Sequence, residues 1–253
     1  MSLLQPRPLA ENSGLAFPGE RIDPAFGVPA KLAALMLGSR NPHGKPNADV
    51  LRETVSAPGV QRLLRGWQID FPQEMSEPEA ALYEYPFQHL IRTINRRHGR
   101  WWFNQHARPA LRAALARHDR YLASPVGAEP PGFVWLDATL LPDSSLVVVA
   151  RDDDFTHGVL LSHLFALWWR EYHSRRTPAF ACESFPFPWP PGTLLSALTA
   201  AQEEQRHALA RAARSGEVAA IDPAVAAAYS WPAGLDDAEL LERLRALHLQ
   251  RVG

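Results

Sequence analysis

One cysteine, Cys182, stands in a chain of 253 residues. A single thiol excludes a disulfide framework and a four-cysteine zinc site, and no feature of the composition calls for an oxidising compartment. Lysine is almost as scarce: Lys31 and Lys45 stand beside 24 arginines. The 15 glycines never fall two apart, so there is no G-x-G to bring backbone against a nucleotide or methyl-donor cofactor. The nearest phosphate-loop lookalike, Gly38 to Lys45, has one residue too many between its glycines. Pro46 replaces the hydroxyl residue that would hold magnesium. No G-x-S-x-G elbow and no H-E-x-x-H pair occurs. No apolar run approaches the ~20 residues needed to span a bilayer. Residues 1 to 20 show no charged-then-apolar signal pattern. The expectation is a cytoplasmic protein with no membrane partner, no metal site and no catalytic residue of these types.

What is present is an ordinary globular balance, 46% hydrophobic and 21% charged, with ample length for a core. The net charge of −1 conceals a strong asymmetry. From Arg92 to Arg120 the chain carries Arg92, Arg96, Arg97, Arg100, Arg108, Arg112, Arg117 and Arg120 against Asp119 alone. From Asp70 to Glu84 it carries five acids and no base. Such separation can create one basic face for an anionic partner. Arg96, Arg97, Arg100, Trp101, Trp102 and Phe103 interleave cations with rings, and arginine both forks onto phosphate and stacks on bases. The competing reading is a solvated helix face whose rings anchor in the core. A second basic patch, Arg170, Glu171, His173, Arg175 and Arg176, follows an apolar helix and holds residue types that reach base edges in a major groove. Its plain alternative is a basic helix end that suits the dipole.

The pattern predicts an α+β fold: a mixed strand and helix domain over residues 31–191, preceded by an extended lead-in (1–30) and followed by a small all-α segment (192–253). Pro29 to Leu37 reads as a short helix and Trp67 to Phe71 as a strand. One helix is predicted over Met75 to Ile94, capped by Ser76 with Glu77 and Glu79 in its first turn. Pro109 opens another. Strands are predicted at Tyr121 to Ser124 and Gly132 to Leu136, and a hairpin joins Phe133 to Leu141 with Leu146 to Ala150 through Pro142-Asp143-Ser144-Ser145. A single helix is predicted over Thr156 to Tyr172. Phe185 to Pro191 is too proline-rich for regular structure. Beyond it, Thr193 is the expected cap of a helix ending near Gly216, Asp222-Pro223 starts a short one, and Asp236 with Glu239 forms a capping box.

Two other chemistries have weaker claims. Asp152, Asp153 and Asp154 could serve a magnesium nuclease, but neither lysine is near in sequence. Capping of the next helix and pairing with arginines is the simpler reading. His157 and His163 lie six apart and do not share a helix face, so each reads as a structural or surface histidine. Cys182 reads as a small buried residue.

Several stretches resemble one family, the MmeI-like class I DNA methyltransferases of type IIL restriction–modification systems. They are LAENSGLAFPGE (Leu9 to Glu20), NPHGKPNADVLR (Asn41 to Arg52), MSEPEAALYEYPF (Met75 to Phe87), NRRHGRWW (Asn95 to Trp102), RPALRAALARHDRY (Arg108 to Tyr121), FVWLDATLLPDSSLVVVARDDDFTHGVLLS (Phe133 to Ser162), ESFPFPWPPG (Glu183 to Gly192) and AVAAAYSWPAGLDDAELLERLRALHL (Ala224 to Leu249). In that family these stretches follow the methyltransferase domain and form the target-recognition domain and a C-terminal helical segment. The resemblance therefore implies the DNA-reading portion of an adenine-specific, S-adenosylmethionine-dependent enzyme. The catalytic N-P-P-[YF] motif and the cofactor site would belong to a domain or subunit encoded upstream, and relatives flip the target base out of the duplex. No cofactor is expected on this chain; its expected partner is double-stranded DNA. Phosphate contacts would fall to Arg92, Arg96, Arg97, Arg100, Arg108 and Arg112, and base reading to Arg170, Glu171, His173, Arg175 and Arg176. The chain departs from the family where a basic loop is usual: Ser124 to Pro131 holds no basic residue. Glu53 and Thr54 stand where relatives carry proline and a following turn. The alternative function is a protein-interaction module that no longer binds DNA.

Overall fold

The computed structural model describes residues 6–60, 62–94, 99–173, 177, 179–232 and 234–252. In chain order the first half holds β1 (Ala16–Pro18), β2 (Gly27–Val28), α1 (Ala30–Gly38), β3 (Leu51–Ser56), β4 (Leu64–Ile69), α2 (Glu77–Ala81), α3 (Glu84–Thr93) and α4 (Pro109–Leu115). The second half holds β5 (Arg120–Pro125), β6 (Val134–Asp137), β7 (Leu141–Pro142), β8 (Leu146–Val149), α5 (Asp154–Leu161), α6 (His163–Tyr172), α7 (Phe180–Ser184), α8 (Ala200–Ser215), α9 (Val218–Ala228) and α10 (Asp237–Val252). The fold is mixed α+β with C-terminal helices, as the sequence pattern predicts. Among the described residues no helix is long and apolar enough to cross a membrane.

The chain forms two compact units. One comprises residues up to Pro18, Ala113–Leu136 and everything from Val147 onward. Its sheet runs β1-β8-β5-β6, with β1 antiparallel to β8 through the pairs Ala16↔Val149 and Pro18↔Val147. All four residues of β8 are buried, so the strand is continuously apolar rather than alternating. α5 and α6 supply Phe155, Val159, Phe165, Trp168 and Trp169 to the core beside Phe133, Phe185 and Phe187. α8, α9 and α10 add Leu209, Val225 and Leu244. α5 packs tightly on α8 at Gly158, where an added Cβ would lie 2.7 Å from Leu209 Cγ. Asn12 is buried and its amide donates to the carbonyls of Cys182, Glu183 and Phe185, tying the lead-in to α7. That accounts for a polar residue in a buried position of the LAENSG stretch.

The other unit spans Gly19–Arg112 and Asp137–Leu146. Its sheet runs β2-β4-β3-β7; β3 and β4 are antiparallel from Leu51↔Ile69 to Ser56↔Leu64, and β7 runs parallel to β3. One core gathers Val50, Leu51, Ile69 and Phe71 with Met36 of α1, Phe87 and Leu90 of α3, and the rings of Trp101 and Trp102.

Several of the sequence expectations need correction. The predicted hairpin does not form: β7 joins β3 in one sheet and β8 joins β1 in the other, so the Pro142–Ser145 turn connects strands of different sheets. The helix over 75–94 is two, because Leu82 and Tyr83 break the hydrogen-bond ladder between α2 and α3. The helix over 156–172 is also two: Ser162 leaves helical φ/ψ and its hydroxyl accepts from Phe165 N–H as the cap of α6. Thr199 rather than Thr193 caps α8, in a capping box with Gln202, and α9 begins at Val218 with Pro223 inside it. The units also cut across the composition boundaries at 30 and 191, because β1 and α8–α10 complete the same core as β5, α5 and α6. Ser76 with Glu79, Gly216 at φ 70°, and Asp236 with Glu239 act as caps where the pattern places them.

Candidate nucleic-acid interface

The arginine run separates into residues with different duties. Arg112 projects from α4 into a carboxylate pair. Its Nε and Nη2 donate to Glu20 at 2.6 and 2.8 Å, and its Nη1 and Nη2 donate to Asp70 at 2.7 and 2.9 Å. The Glu20 side chain is fully buried and that of Asp70 is 5% exposed. Burial works against the Arg112 charge, but the hydrogen bonds it donates to Glu20 and Asp70 outweigh it and raise its pKa above the usual arginine value. Four of the five N–H donors are spent, so Arg112 leaves the phosphate-contact set: it is the centre of an internal ion cluster.

The other described phosphate candidates, Arg92, Arg100 and Arg108, stay at the surface. Arg92 lies exposed near the end of α3, beside an open groove of about 570 Å³ that Leu32, Met36, Tyr85 and Gln88 also line. Among the described residues it has no ion-pair partner. Arg100 is exposed, lies over the rings of Phe103 and Trp102 at 4.7 and 5.5 Å, and donates to the Gln73 carbonyl. Arg108 is exposed; its Nε donates to Gly19 O, and its backbone N–H to Glu20. Arg96 and Arg97 lie outside the described residues. Trp101 and Trp102 are core residues at 8% and 7% exposure, so these rings anchor the segment instead of offering stacking faces.

At the end of α6 every described base-reading candidate already has a partner. Arg170 is exposed and meets Asp237 of α10 at 3.8 Å. Glu171 meets Arg245 at 3.5 Å. His173 stacks on Trp169 at 5.4 Å and 7°, and its Nε2 lies 3.4 Å from Glu129. Arg175 and Arg176 lie outside the described residues. None of the three partners is near in sequence, which is why the sequence pattern could not identify them. Glu129 comes from the loop that lacks basic residues.

Asp153 and Asp154 of the aspartate triplet are engaged by their neighbours. Asp153 caps α5 through Thr156 N–H and pairs with Arg151. Asp154 pairs with Arg120 and Arg214, and Asp152 lies 3.0 Å from His118 Nδ1. Asp153 caps a helix, and Asp153 and Asp154 neutralise arginines. Arg120 also lies 3.8 Å over the Trp135 ring. His157 lies against the Phe133 carbonyl; burial holds its pKa below the usual histidine range. Cys182 is completely buried, and burial pushes its thiol well above the usual range.

No protein-family model and no curated protein matches the chain. Its fold does match one segment of a type IIL restriction–modification enzyme solved in complex with DNA. That enzyme is MmeI, and the TM-score is 0.59 at 13% sequence identity. The match takes in 98% of this chain and 36% of MmeI, so the chain spans about a third of the length of that neighbour. At this identity the likeness is one of fold.

Proposed function

We propose that this chain is the DNA target-recognition portion of an adenine-specific, S-adenosylmethionine-dependent restriction–modification enzyme. The observation that carries this reading is the fold match over 98% of the chain to an enzyme solved with DNA. The catalytic domain and its cofactor would be supplied by a separate segment or subunit, in the cytoplasm. Arg92, Arg100 and Arg108, with Arg96 and Arg97, would hold phosphates. Arg170, Glu171 and His173, with Arg175 and Arg176, would read base edges. The Arg170–Asp237 pair is exposed on both sides and 3.8 Å long, so exchanging it for a base edge costs little, about 0–1 kcal/mol.

Fluorescence anisotropy on duplex DNA at several salt concentrations tests the reading. Each neutralised phosphate contributes about −0.9 to the slope of log affinity against log salt. The five arginine contacts would therefore give a slope near −4.5 by that rule, and replacing Arg92, Arg100 and Arg108 with alanine would reduce it to about −1.8. Absence of duplex binding at low salt would leave the chain as a protein-interaction module.

A further inference from the structure

We propose that a cavity at the start of α5 binds a small tetrahedral oxyanion of the phosphate type. The cavity measures about 90 Å³, and its walls include Arg151, Thr156, Trp189, Gly192 and Arg206. Each arginine is held on one edge by a carboxylate and keeps its Nη1 without an acceptor among the described residues; Arg206 Nη2 also lies 3.4 Å from His207 Nε2. Arg151 places Nε and Nη2 on Asp153 Oδ2, both at 2.9 Å. Its Nη1 has no acceptor among the described residues and lies beside Gly192, where an added Cβ would stand 3.2 Å from it. Arg206 forks onto Glu203 through Nε and Nη2 at 2.7 and 2.8 Å, and its Nη1 likewise has no acceptor among the described residues.

Two guanidinium groups fixed from behind, each with spare N–H donors, form a preorganised oxyanion site. The one carboxylate in the wall does not compete strongly. Asp153 Oδ1 already accepts Thr156 N–H, and Oδ2 already accepts the Thr156 hydroxyl and Arg151. Phe155 and Trp189 stack at 4.6 Å and 11° to give an apolar wall, which strengthens charged hydrogen bonds by excluding water. Gly192 sits at φ +83°, which keeps side-chain atoms away from Arg151. At about 30 Å³ per water molecule, the space holds about three waters, enough for a phosphate group and too little for a nucleotide. The site uses no residue assigned to DNA above and does not rest on that assignment.

The test is a titration of the full chain with sodium phosphate against sodium chloride at matched ionic strength, read by Trp189-sensitive fluorescence and by thermal unfolding. Saturable binding is expected in the wild type, with affinity weaker by about tenfold or more in Arg151→Gln and Arg206→Gln, the loss of one charge-assisted bond. Should Arg151→Gln fail to fold, phosphorus NMR of inorganic phosphate with wild type and Arg206→Lys decides the matter, because that variant keeps the charge and loses the fork. No saturation beyond chloride, or equal saturation in wild type and variants, overturns the proposal. A further arm identifies the source: phosphate that weakens duplex binding at matched ionic strength marks a DNA backbone contact. Unchanged duplex affinity marks a free anion.

Discussion

Replacing Arg112 with methionine keeps an unbranched apolar stem and removes all four hydrogen bonds to Glu20 and Asp70. Two carboxylates would then remain, one fully buried and one nearly so, compensated by the Arg108 backbone N–H that donates to Glu20 and by the 3.7 Å approach of Arg52 to Asp70. Breaking one side of a buried ion pair costs about 3–5 kcal/mol. The Arg112 side chain is itself 33% exposed, so water reaches the cluster and the lower end, about 3 kcal/mol, applies. For a chain of this size each kcal/mol moves the melting temperature by about 2–4 °C, which puts the expected loss near 6–12 °C. Urea unfolding and thermal melts followed by circular dichroism measure it. Adding Glu20→Gln to Arg112→Met should recover part of the loss, because it removes one stranded charge. The reasoning fails if Arg112→Met melts within about 1 °C of wild type and instead lowers the salt slope of duplex binding by about 0.9, as a phosphate contact would.

Gly158→Ala should cost about 1–3 kcal/mol by overpacking against Leu209, with partial rescue by Leu209→Ala, both read from urea midpoints. Burial lowers the pKa values of His157 and His248 from the ordinary value of 6.5, so below that pH the unfolded chain binds more protons than the folded one. Their contribution is therefore complete above pH 6.5 and is lost as pH falls; melting temperatures between neutral and mildly acid pH should show this, with a flatter profile in His157→Gln/His248→Gln. Cys182 should ignore thiol reagents in the native protein and react fully in urea, because burial raises its thiol pKa and closes access; rapid native labelling would contradict its placement.

Local rules of the backbone are legible in the order of residues. The caps at Ser76 and Asp236 and the glycine stop at Gly216 depend on residues within four positions of one another, and they stand where the pattern puts them. The plain reading of Asp152 to Asp154 is legible for the same reason, since a carboxylate ahead of a helix start has a cap to make. The mixed fold class follows from periodicity and punctuation. Strand pairing does not. The turn at Pro142–Ser145 has hairpin chemistry, yet β7 and β8 enter different sheets, because strand partners are chosen by burial across the whole chain. The breaks at Ser162 and Tyr83 are hidden inside apolar runs whose spacing continues past them.

The site divides in the same way. The arginine run from Arg92 to Arg120 is visible in the sequence as charge, and charge alone cannot say which cations face solvent. Folding commits Arg112 to Glu20 and Asp70, leaves Arg92 exposed, and sets Arg170, Glu171 and His173 against Asp237, Arg245 and Glu129. The cavity between Arg151 and Arg206 leaves no trace in the sequence either: its walls come from separate segments spread between residues 151 and 206, and its spare donors are defined by which N–H groups the nearby carboxylates do not reach. Helix caps, fold class and the sum of charges depend on neighbours along the chain, so the order of residues is enough to specify them. Which charges are spent internally and which remain for a ligand is a property of the folded chain, because ion pairs form between residues that folding alone brings within reach.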